Sequence, residues 1–307
     1  LLFTLPGIAG FWIEPLIGVS GDTRHRRGLV IGGIVATAMG LAMIAAGQTY
    51  GVILIAFCIL SPASGAYVNL AQGTLIDSNP ARAEQTMARW VLIGAWGVVI
   101  SPLVLTAVFS ISGTWRSVYW LLAIFAGAYI GLLFKPRFNA HDGAEEGSIP
   151  LRQMKTNLLE AFRNRALLKW IVLTELADLM LDKLLEQVGL YFHDVAQVSL
   201  ADASGAVAIF AICGLIGNLI LVPLLERVPG IRILRITATV VLIAYAAFLL
   251  LPIVLVKYIL IGVIGLCTAS WYTILRAKSY EALPGQSGAV IAVTSMYLPS
   301  PCSRNIR

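Results

Sequence analysis

Apolar runs about as long as a bilayer is thick recur along nearly the whole chain, and they restrict the fold more than any other feature. They fall at about 2–19, 29–47, 51–76, 88–110, 116–134, 167–195, 203–225, 232–253 and 256–277, with a shorter tenth from about 288. Roughly 20 apolar residues of helix cross the hydrocarbon, and a helix bonds its own backbone, as lipid demands. A helix from a soluble core would show a polar face at period 3.6, whereas "ILRITATVVLIAYAAFLLLPIVLV" (233–256) carries no charge after Arg235. Composition agrees, because the chain is 12% charged against about 25% in an ordinary soluble domain. The chain therefore reads as a polytopic helical protein integral to a membrane, the cytoplasmic (inner) membrane if the source is bacterial.

The basic residues orient it. If the turns alternate sides, one side receives the arginines and lysines of 24–27, 82–89, 135–169, 227–235 and 276–278, and the other only Arg116 and Lys257. The positive-inside rule places the rich side in the cytoplasm. The formal net charge of +6 thus reports topology, and nucleic acid is not an expected partner. Cys58, Cys213, Cys267 and Cys302 show neither a paired framework nor metal-site spacing. Leu1 already lies in an apolar segment that must run inward, so an earlier helix is expected ahead of it. The stub before "LPSPCSRNIR" predicts that a last helix is missing too.

One long polar interruption, 135–166, divides the chain. It predicts an N-terminal bundle over 1–134, a cytoplasmic central loop over 135–166 with an amphipathic piece around Leu158 to Phe162, and a C-terminal bundle over 167–307. The charged turn "GVSGDTRHRR" (18–27) has an echo in "VPLLERVPGIRIL" (222–234), which again sets an acid and basic residues at a cytoplasmic turn. A repeat six segments on, with the same orientation, predicts two similar bundles.

In "GVSGDTRHRR", Gly18, Asp22, Arg26 and Arg27 match the signature of the major facilitator superfamily, with Thr23 and His25 departing from it; Glu226 and Arg227 keep an acid–basic pair in the second half. "GTWRSVYWLLAIF" (113–125) resembles that family's entry to its sixth helix and "SYEALPGQSGAVIA" (279–292) its turn into the eleventh. The resemblance implies an all-α integral membrane fold of two six-helix bundles related by a pseudo-two-fold axis, with about ten of the twelve helices present. It also implies that the charged turn is a latch holding the cytoplasmic ends of the halves together when the site opens outward. Asp22 would reach the positive end of a helix dipole, worth roughly 0.3–1 kcal/mol. Asp77, at the cytoplasmic end of the fourth helix, would pair with a latch arginine, and Glu14 would join the latch or a cytoplasmic gate. Gly94, Gly97 and Ser101–Pro102 resemble in part a signature of proton-coupled exporters, with serine standing where that signature has glycine.

The chain has no HExxH, no GxSxG and no phosphate loop, and its three histidines, His25, His141 and His193, are scattered, so neither an enzyme nor a cofactor is expected. The sharpest signal lies in "LLKWIVLTELADLMLDKLLEQVGLYFHDV" (167–195), where Glu175, Asp178, Asp182, Glu186, Gly189 and His193 follow at steps of 3, 4, 4, 3 and 4. That spacing makes one stripe along a helix, about 27 Å long at about 1.5 Å per residue. Each ionised acid facing lipid costs roughly 2.5–3.5 kcal/mol at mid-membrane, so the stripe is expected to line a path, with Asp178 and Asp182 as the proton or cation site. Asn69 and Gln72 on one helical face, and Trp271, are further candidates for substrate contact. These features predict a proton-coupled secondary active transporter of a small solute, monomeric and working by alternating access in the lipid bilayer around a central cavity. The alternative is a transporter-like sensor or scaffold that does not transport.

Overall fold

The computed structural model describes residue 2 and residues 4–21, 26–112, 114–133 and 151–297; among these it is helical, without strands. Eleven α-helices follow in order: α1 (Thr4–Gly21), α2 (Arg26–Ala46), α3 (Tyr50–Ser78), α4 (Ala83–Ser112), α5 (Trp115–Leu133), α6 (Leu151–Arg163), α7 (Arg165–Leu190), α8 (Leu200–Leu224), α9 (Gly230–Leu250), α10 (Val254–Glu281) and α11 (Ser287–Tyr297). The expected apolar segments become α1–α5 and α7–α11 with ends displaced by a few residues. The expected amphipathic piece is longer than foreseen, occupying all of α6. Helix 7 does not continue as α-helix to 195: its end winds into a π-helical turn, Tyr191–Val195. A Ser199 cap, whose hydroxyl accepts from the Asp202 N–H at 3.2 Å, then starts α8.

Seven of the helices are long and apolar enough to cross a bilayer; α1 and α7 are not among them and carry Glu14 and the acidic stripe respectively. Large apolar side chains such as Trp12, Ile93, Leu242 and Leu255 stand exposed on the helices. Water would not tolerate that surface, and lipid does. The molecule is a polytopic integral membrane protein.

Two compact groups of helices form, and each is described by itself. The first takes Leu1–Pro80, Ile100–Leu167 and Ala282–Arg307. In it α2 packs on α3 and α5, α1 lies against α3 and α11, and α11 also meets α6. The second takes Ala81–Val99 and Leu168–Glu281, with α10 flanked by α8 and α9. Its core gathers Val188, Phe192, Ala206, Val241, Phe248, Ile261 and Ile264. Small residues set the closest approach there: a Cβ on Gly265 of α10 would lie 2.5 Å from the Phe210 carbonyl oxygen of α8, as in other membrane helix pairs.

Candidate functional site

In the first group the polar machinery collects where three helix ends meet. Arg26 opens α2, Asp77 stands in the last turn of α3, and Ser287 opens α11 after a turn in which Gly285 adopts φ +75°. Arg26 Nη1 donates to Asp77 Oδ2 at 2.8 Å and Nη2 donates to Ser287 Oγ at 2.6 Å. The Ser287 hydroxyl in turn donates to Asp77 Oδ2 at 2.5 Å, closing a triangle of charge-assisted bonds. Arg26 Nη2 also reaches the Leu70 carbonyl at 3.5 Å. The Arg26 and Asp77 side chains keep only 19% and 16% of their surface, so this pair is screened less than an exposed one. The Asp77 carboxylate lies at the N-terminus of α11, where the helix dipole favours negative charge.

Glycines make the triangle possible. A Cβ on Gly73 would stand 2.6 Å from Arg26 Nη2 and 2.9 Å from Ser287 Oγ, so a side chain there would occupy the guanidinium's path. A Cβ on Gly18 would stand 2.7 Å from the Ala292 backbone nitrogen, which sets how closely α1 and α11 approach. Among the other expected latch residues, Arg27 is exposed and Asp22 lies outside the described residues. Ser287 and Gly73 escaped the sequence reading. A serine after Pro-Gly at a helix start was the signal for the first, while nothing local announced the second.

The second group has a junction of its own. Glu84, in the first turn of α4, accepts from the Gly230 N–H that opens α9 at 3.0 Å and pairs with Lys278 of α10 at 2.8 Å. Lys278 is bonded to Glu281 as well. Glu226 and Arg227 are both exposed, and Glu226 pairs with Arg89 at 3.5 Å.

On α7 the packed face consists of Leu167, Ile171, Thr174, Ala177 and Val188, and the acidic stripe runs one residue further round. Glu175 and Asp178 are half-buried, whereas Asp182 and Glu186 are exposed. Lys183 Nζ donates to Glu186 Oε2 at 2.6 Å. His193 bonds Asp194 at 2.7 Å on the π-turn, whose extra residue takes it off the α-helical register. Asp178 lies within electrostatic reach of Arg276 of α10. Arg276, counted in the sequence among the cytoplasmic-side arginines, is buried, with its guanidinium over the Tyr280 ring at 5.4 Å and its Nε without a partner among the described residues.

Lys257 is a second basic residue of a helix end that turns inward. It is buried, donating to the Tyr191 hydroxyl at 2.6 Å and the Phe248 carbonyl at 2.7 Å, and so ties the π-turn to the C-terminal end of α9. On α3, Gln72 is buried and Asn69 half-buried. Trp271 packs against the core of the second group and donates its Nε1–H to Thr237 Oγ1 at 3.1 Å.

The model of the Major Facilitator Superfamily matches residues 1–299. None of the curated protein sequences matches this one. Solved structures of similar fold include a variant of the E. coli fucose:proton symporter FucP, at 15% identity and TM-score 0.69 over 95% of this chain and 80% of that one. The proton:xylose symporter XylE, bound to 6-bromo-6-deoxy-D-glucose, is similar at 13% identity and TM-score 0.70, covering 96% and 75%. The human organic anion transporter MFSD10 is similar at 16% and 0.60, covering 98% and 78%. At these identities the likeness concerns the fold.

Proposed function

The chain belongs to the major facilitator superfamily, and from that premise we propose that it is a secondary active transporter which moves a small solute by alternating access and couples that movement to protons. The observation that carries this reading is the triangle of Arg26, Asp77 and Ser287. It joins helices from the two ends of the sequence through a few charge-assisted bonds around a glycine, at the mouth of an interface where α11 buries Val290, Ile291 and Val293. Such a joint is strong enough to favour one state and weak enough to open, as a bistable element must be. Arg26, Asp77 and Gly18, with Asp22 and Arg27 of the same turn, form the latch of the closed cytoplasmic side. Glu226 and Arg227 belong to its counterpart in the second half.

Proton coupling is assigned to the acidic face of α7, with Asp178 and Asp182 as carriers and Glu175 and Glu186 flanking them. The half-buried Asp178 near the buried Arg276 supports this, because a proton on Asp178 changes the balance of charge inside the membrane. Asn69 and Gln72 supply amide contacts to the solute, and Trp271, its N–H engaged by Thr237, contributes an aromatic surface. Reconstitution into proteoliposomes with a panel of sugars, amino acids, organic anions and cationic drugs tests the proposal. Uptake or efflux of at least one solute that responds to an imposed pH gradient and collapses with a protonophore is expected. A folded protein that moves none of them, yet retains a protein partner, would make the chain a sensor or scaffold.

A further inference from the structure

About two helical turns deeper than the latch, the same helices enclose an acid that the latch leaves unused. Glu14 of α1 is half-buried, and it lies so close to α3 that a Cβ on Gly65 would come within 2.8 Å of its Oε1. Its neighbour on α11 is Ser295, whose hydroxyl donates to the Ile291 carbonyl at 3.0 Å. Ser295 is itself about two turns past Ser287, so the acid and its partner sit at matching depth in α1 and α11, with the Gly18–Ala292 approach between them and the latch.

Among the described residues the surroundings supply no ion-pair partner. None of the ion pairs among the described residues includes Glu14. On α3 the ionisable groups are Tyr50, Cys58, Tyr67 and Asp77; Asp77 is held by Arg26, and Tyr67 interacts with Tyr129 of α5. On α2 they are Arg26 and Arg27, and on α11 only Tyr297, at its far end. Among the described residues of α1, Glu14 stands alone. An ionised carboxylate without a cation costs roughly 2.5–3.5 kcal/mol at the centre of a membrane helix. A neutral carboxyl can instead donate to the Ser295 oxygen, whose own proton goes to the Ile291 carbonyl.

We propose that Glu14 is a proton-binding site built into the cytoplasmic closure. It holds a proton while α1, α3 and α11 are joined. When α11 leaves, water reaches the carboxyl, the O–H bond breaks, the proton passes to water on that side and the carboxylate stays hydrated. Re-closure requires the proton back, so opening of this end is tied to proton release independently of the α7 acids. The inference rests on the reading of the chain as a transporter that cycles between states.

Pulsed electron paramagnetic resonance on the chain in nanodiscs tests it, with Cys58, Cys213, Cys267 and Cys302 replaced and spin labels at Leu16→Cys and Met296→Cys, both exposed positions. The closed-to-open ratio of the parent should fall with rising pH, by up to about tenfold per pH unit for a one-proton equilibrium. Glu14→Gln, a permanently neutral stand-in, should remove Glu14's one-proton share of that dependence and leave only what the α7 acids supply, and Glu14→Asp should restore it. Infrared spectra of the closed state should show a protonated carboxyl band that disappears in Glu14→Gln and shifts in Ser295→Ala. A pH dependence as steep in Glu14→Gln as in the parent, or a parent without pH dependence whose carboxyl bands match those of Glu14→Gln, would overturn the proposal. Absence of solute flux in the parent would instead count against the transport reading, so the two failures are distinguishable.

Discussion

Replacing Arg26 with alanine removes the donor of two sides of the latch triangle, the bonds to Asp77 at 2.8 Å and to Ser287 at 2.6 Å. Hydrogen bonds to charged groups are worth about 1.5–3 kcal/mol each. Asp77 keeps the Ser287 hydroxyl at 2.5 Å and is partly hydrated once the guanidinium is gone, so the net loss for the joint is about 2–3 kcal/mol. That is a shift of roughly 30- to 150-fold in the closed-to-open ratio. Hydrogen–deuterium exchange over the first turns of α11 reads the shift, since parting of the joint opens the buried start of this helix to water. Arg26→Ala should accelerate their exchange by about that factor, while amides of α9 stay unchanged. Arg26→Lys should fall between the parent and alanine, because one ammonium keeps the charge but lacks the planar fork that spans both acceptors. An Arg26→Ala protein whose α11 exchanges within about twofold of the parent would refute the latch and leave Arg26 as a topological charge.

Further outcomes follow from the same geometry. Asp178→Asn or Asp182→Asn should abolish pH-gradient-driven uptake while sparing expression, and Glu175→Gln should do less; driven uptake unchanged in both Asn variants would make the α7 stripe structural. Gly18→Val places a branched side chain where even a Cβ stands 2.7 Å from the Ala292 nitrogen. Overpacking of this kind costs typically 1–3 kcal/mol, so the variant should favour the open state in the spin-label distances between α1 and α11. Lys257→Met should lower the melting temperature in detergent by the equivalent of about 1–3 kcal/mol, because the Phe248 carbonyl and Tyr191 hydroxyl both lose their donor. An unchanged melting temperature would mean that the buried ammonium contributes no net stability.

The helices were legible because lipid imposes a length and an apolar character on each one, and α11, with its short apolar run, was visible for the same reason. The stripe on α7 could be read from period alone, since its spacing fixes a face whatever the neighbours are. Long-range partners could not. Counting basic residues by side of the membrane says where each one lies and nothing of what it touches. Lys257 and Arg276 turn inward, one toward a helix C-terminus and an aromatic ring, the other over Tyr280. Ser287 lies 261 residues from Arg26 in sequence, and no local pattern announces a partner at that distance. Gly73 carries meaning only once the guanidinium passing over it is known.

The central claim is that this chain alternates between two faces while carrying a solute, and counterflow tests it with the fewest assumptions. Proteoliposomes preloaded with each unlabelled solute of the panel are diluted into its labelled form with no ion gradient imposed, so that exchange requires alternation alone. The account predicts transient accumulation of label for at least one solute, slowed in Gly18→Val because its closed state is disfavoured. No counterflow for any solute, from a folded protein whose spin-label distances stay fixed across pH and solute, would contradict it.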